Sequence, residues 1–168
     1  MKKIFFLAAS VFALSCNNSS KDEANTSDTM NMMTTDTVNH SNMTTTGIPA
    51  LPAIPENAKV YFKNLKNNAT VTSPVKVEMA IDNMRVDTTG SVVAGSGHFH
   101  ILIDAEDSIA MEQIVPKDST HLHYGKGQTE DNLTLSPGKH KLTLQFADGV
   151  HRSYGSKLAT TITINVKK

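Results

Sequence analysis

The sequence predicts an all-β fold, an immunoglobulin-like antiparallel β-sandwich of about seven strands, and three observations point there. Apolar residues recur with period two over several short segments. Turn residues stand between those segments. No stretch carries a sustained helical period. A small closed β-barrel is the alternative.

Val60-Tyr61-Phe62 opens the series. Val75, Val77, Met79 and Ile81 then alternate with Lys76, Glu78, Ala80 and Asp82, as a strand with one buried face requires. Phe99 to Ile103 is apolar at every second position. Ala105 to Gln113 has room for one or two helical turns. Leu133 to Leu135 is short and apolar. Ser136-Pro137-Gly138-Lys139 puts Pro and Gly at the centre of a type II turn, so 129–146 is expected to form a hairpin. Its second arm has His140, Leu142, Leu144 and Phe146 on the core side. Ala147-Asp148-Gly149 is another turn. Leu158, Thr160, Ile162, Ile164 and Val166 form the inward set of the last strand.

Six of the seven histidines fall in this domain, and four of them come as two His-x-His pairs. In Gly97-His98-Phe99-His100, the core takes Phe99, Ile101 and Ile103. His98 and His100 then share the opposite face, close enough to chelate one ion. His121-Leu122-His123 is the second pair. His98, His100, His121 and His123 are the expected metal ligands, with His140 and His151 in reserve. Neutral imidazole binds Zn²⁺ and Cu²⁺, and its other ring nitrogen needs an acceptor. Asp104, Glu130 and Asp148 are the candidates for that supporting role. Histidines that only brace loop backbone are one alternative. A site for a sugar, peptide or anion is another, and a metal with an open position that activates water, as in a metallohydrolase, is a third.

Other chemistries lack residues. Gly95-Ser96-Gly97 and Gly125-Lys126-Gly127 are short glycine turns, and neither completes a phosphate-binding loop. No Gly-x-Ser-x-Gly occurs. There is no basic patch with interleaved aromatics, so nucleic acid is not an expected partner.

The chain begins Met1-Lys2-Lys3, followed by an apolar run to Leu14 that is too short to span a bilayer. This is the form of a secretory signal, expected over residues 1–15. Ala13-Leu14-Ser15-Cys16 resembles a bacterial lipobox, with Ala13 where Leu is usual. Cys16 is the only cysteine. As the lipid attachment point it gives membrane anchoring, and its acylation leaves the domain without thiol, disulfide or Cys-based zinc chemistry. Loss of Lys2 and Lys3 with the signal takes the net charge from zero to about −2.

Residues 16–56 read as a lipidated tether. Asn, Ser, Thr, Asp and Met dominate 17–47, too little apolar surface to offset chain entropy. Met30, Met32, Met33, His40 and Met43 are soft ligands of a kind that suits Cu(I), although drift in a low-complexity segment explains them as simply. Cys16 to Glu23 resembles the signal that sends some lipoproteins to the cell surface. The expected location is the bacterial cell envelope, at the outer membrane on its surface or periplasmic face. Pro49, Pro52 and Pro55 stiffen the approach to a domain at 57–168.

Ala58 to Val166 resembles a bacterial family of domains of unknown function, numbered 4399. The resemblance lies in 71–77, in Gly95 to Asp104, in His121 to Glu130, and in Leu135 to His151. Family members often carry three adjacent histidines at the first pair, where this chain has Phe99 in the middle. The resemblance implies an exported, often lipid-anchored protein and supplies no activity.

Overall fold

The computed structural model describes residues 47–168. The expected signal peptide, Cys16 and the methionines of the expected tether lie outside the described residues.

Nine strands form two sheets. The smaller sheet has the order β1-β3-β7, from Lys59–Phe62, Val75–Asp82 and Glu130–Leu133. The larger runs β2-β9-β8-β5-β4, from Ala69–Thr72, Ala159–Lys167, Gly138–Ala147, Ser96–Ile103 and Arg85–Val86. His121–His123 forms β6, which pairs with the free side of β5. The two sheets enclose a sandwich core of Val60, Phe62, Val75, Val77, Met79, Phe99, Ile101, Leu142, Leu144 and Phe146. Phe99 and Phe146 are cross-strand partners whose rings meet edge to face at 5.1 Å, a favoured aromatic geometry. Leu51 and Ile54, from the proline-rich approach, also pack on this core.

Several expectations need correction. The pairing is not wholly antiparallel, because β2 runs parallel to β9 and β4 parallel to β5. The hairpin over 129–146 does not form. Strand β7 pairs with β3 in the small sheet, while β8 lies between β5 and β9 in the large one. Pro137-Gly138 turns the chain, but burial of Leu133 among the core residues draws β7 to the other layer. Ala105 to Gln113 forms no helix; it is an irregular crossing segment.

That segment positions everything that follows. Strands β5 and β8 were expected to have one buried face, yet both faces are buried. On the face away from the sandwich core stand His98, His100 and Leu102 of β5 and Thr143, Gln145 and Ala147 of β8. Residues 104–120 cross over it, and Ile109 and Val115 join Leu102 and Ala147 in a second, small apolar cluster. Buried backbone must find partners, and short polar side chains supply them. Gln145 accepts from the Ile109 N–H at 3.0 Å and donates to the carbonyls of Phe146, Gly155 and Leu158. Thr143 donates to the Glu106 carbonyl at 2.9 Å and Ser153 to that of Ile109 at 2.8 Å.

Candidate metal centre

The covered face holds a cluster of imidazoles. His98 and His100 are two residues apart on β5, so they project from the same side. His123 on β6 is the direct cross-strand partner of His100, and side chains so placed are in contact. His151 arrives from the turn after β8. Its φ of 72° is in the left-handed region that non-glycine residues seldom occupy. Asp148 builds that turn: its carbonyl accepts from the His151 N–H at 3.0 Å and its Oδ1 from Val150 N–H at 3.0 Å and Arg152 N–H at 2.8 Å.

The four rings form two pairs through their Nε2 atoms. His98 and His100 are 3.0 Å apart there, and His123 and His151 are 3.1 Å apart. Ring centroids within the group are separated by 4.8 to 6.0 Å. The donor atoms of His98, His100 and His123 lie within 4.8 Å of one another, a group that could hold a metal ion. Four nitrogens bound at 2.0–2.1 Å to a tetrahedral Zn²⁺ would be about 3.3 Å apart, so each short pair has close to the spacing of two ligands on one ion.

Burial disfavours the charged forms of His98, His100 and His123. It depresses the pKa of His98 to about 3, helped by His151 and His123. His100, deeper still, falls to about 2 through burial and the neighbouring imidazoles. His123 is lowered by burial, then by His151 and Lys117. Neutral imidazoles keep a nitrogen lone pair free for an ion. The Nδ1 atoms of His98 and His100 are buried without a hydrogen-bond partner.

Gly125 belongs to this site, although its glycine turn gave no sign of it. A Cβ there would collide with Cε1 and Nε2 of His123 and would sit 2.6 Å from Thr89 Cγ2. The absent side chain is the space that the His123 ring occupies.

Of the residues expected as ligands, His98, His100 and His123 come together and His121 does not join them. It lies opposite Leu102 in the β5–β6 register, one step past the paired histidines. Its Nδ1 meets Asp118 at 2.9 Å and its Nε2 meets Glu106 at 3.1 Å. Burial works against its charged form, but Asp118 and Glu106 outweigh that and raise its pKa. With an acceptor at each nitrogen, it serves as a cationic clip on the crossing segment. Asp118 at i−3 was a visible signal for this; Glu106 had none.

His151, a reserve, is in the cluster, and His140 is not. His140 Nδ1 meets Asp104 at 2.8 Å and its Nε2 the Ser136 carbonyl at 2.9 Å, and the Asp104 contact raises its pKa. The proposed supporting carboxylates are engaged elsewhere. Asp104 holds His140 and the Lys141 N–H. Glu130 pairs with Lys76 at 3.2 Å and lines a cleft of about 290 Å³ that His123 also borders. Asp148 is fully buried against Arg152, whose Nε donates to its Oδ2 at 2.8 Å. Arg152 Nη2 is also 2.8 Å from that oxygen, an ion-pair contact whose angle is too poor for a hydrogen bond.

These features define a class: an all-β sandwich with a polyhistidine cluster, partly buried under a crossing segment, on the outer face of one sheet. The chain belongs to the family described as Domain of unknown function (DUF4399), whose model matches residues 77–167. The match includes all four clustered histidines and Gly125. No curated protein and no solved structure shows significant similarity to the chain.

Proposed function

We propose that this protein is a metal-binding accessory lipoprotein of the bacterial cell envelope, held at the outer membrane through Cys16. His98, His100, His123 and His151 are its ligands, and copper or zinc is its ion. The observation that carries this reading is the gathering of four histidine rings from three separate chain segments: His98, His100 and His123 place donor atoms within 4.8 Å of one another, and His151 Nε2 is 3.1 Å from that of His123. Bringing polar rings under a covering loop costs free energy unless they are satisfied. A shared ion uses all four lone pairs at once. The anchoring rests on the sequence through Cys16, and palmitate labelling of the wild type against Cys16→Ala tests it.

Metal analysis of the purified full chain, after chelation and refilling, tests the main claim. One equivalent of copper or zinc per chain is expected, with loss of that equivalent in His98→Ala/His100→Ala. A folded wild type that retains neither metal refutes it.

A non-catalytic adhesion or scaffold module is the second reading. Its support is that each short Nε2 pair satisfies itself when one ring donates and the other accepts. On that reading His98→Ala/His100→Ala costs stability alone.

A further inference from the structure

The surroundings of the cluster bear on which ion it takes, and the argument rests on the metal-binding reading above. All four donors are imidazoles, and none carries a negative charge to offset that of a bound cation. His98 and His100 are fully buried, and the cost of burying an ion rises steeply with its charge. Among the described residues, no carboxylate is hydrogen-bonded to any of the four rings. Asp118 and Glu106 are held by His121, and Asp148 by Arg152.

The Lys117 cation adds to the penalty at His123. Ligating histidines usually donate their second N–H to a carboxylate or carbonyl, which makes them better donors. The Nδ1 atoms of His98 and His100 have no such partner. A dication loses most by that, and an ion of single charge loses least. Imidazole accepts copper readily.

We propose that the cluster selects Cu(I) over the divalent ions Zn²⁺ and Cu²⁺. The preference comes from imidazole donors in a buried site where no carboxylate partners the ligand rings.

Competition titrations on the full chain test this. Cu(I), kept reduced by ascorbate without oxygen, is titrated against a Cu(I)-specific chelator. Zn²⁺ and Cu²⁺ are titrated against their own chelators. Cu(I) should bind at least about 100-fold more tightly than either divalent ion, equivalent to about 2.7 kcal/mol. Lys117→Glu, which touches no ligand, should narrow the gap between Cu(I) and Zn²⁺ severalfold at low salt and less at high salt. Zn²⁺ or Cu²⁺ binding as tightly as Cu(I) overturns the selectivity and leaves metal binding standing. An unchanged ratio in Lys117→Glu overturns the electrostatic cause. Failure to bind any of the three overturns both this inference and the metal-binding reading.

Discussion

Acidifying the metal-free protein from pH 7 to pH 5 should remove several kcal/mol of folding stability. His98 and His100 have folded pKa values of about 3 and about 2, below the ordinary value of 6.5. Between those limits the unfolded chain binds protons that the folded chain refuses. Stability therefore falls as pH falls. At pH 5 each unfolded imidazole gains about 2 kcal/mol by protonation, so the two together give about 4 kcal/mol. His123 is shifted the same way and adds to the loss. His121 and His140 are shifted upward. Their contribution is complete below the unfolded value and is lost as pH rises through the folded one. They soften the first part of the acid loss and nothing below pH 6.5. Urea unfolding in the presence of a chelator reads the effect. With an m-value of about 2 kcal/mol/M, the midpoint should drop by roughly 2 M between pH 7 and pH 5. His100→Gln, which takes up no proton, should remove about half of that slope. A midpoint that stays level over this range would refute the claim that the cluster is held neutral by burial.

Other outcomes follow from particular contacts. His123→Ala should lose the bound metal, whereas His121→Ala should keep one equivalent and lower the urea midpoint, because it removes the buried ring that ties Glu106 and Asp118 of the crossing segment to β6. Gly125→Ala should weaken metal binding by about 10- to 100-fold while circular dichroism stays unchanged, because the new methyl group meets only side-chain atoms, the His123 ring and the Thr89 methyl. Arg152→Met leaves the buried Asp148 carboxylate without its cation. A loss of about 3–5 kcal/mol is expected in thermal or urea unfolding, and a loss under 1 kcal/mol would contradict the pairing.

The long strands were legible because their residues alternate. Val75 to Ile81 and Leu142 to Phe146 state their own period and their own core face. Strands β2, β4 and β6 have 4, 2 and 3 residues, too few for a period to register. The failed hairpin has a similar cause. Pro137-Gly138 reports a local change of direction, while the partner of β7 is chosen by where Leu133 buries, which is a long-range matter.

The site divides along the same line. His98 and His100 share a face by strand geometry alone, so their pairing was readable. The choice between His121 and His123 depends on the register between β5 and β6, which local sequence does not specify. A slip of two residues would have set His121 opposite His100 instead. The burial of Thr143 and Gln145 was hidden for a related reason. They look like the solvent side of a strand until residues 104–120 fold over them. The glycine at position 125 read as a loop element, and its function appears only once the His123 ring lies against it.

A crystal of the copper-loaded protein, with diffraction collected on both sides of the copper absorption edge, tests the central claim most directly. The expected result is a single anomalous peak about 2.0–2.1 Å from the Nε2 atoms of His98, His100, His123 and His151. A loaded crystal with no peak there, or with its peak at His121, Glu106 and Asp118, would contradict it.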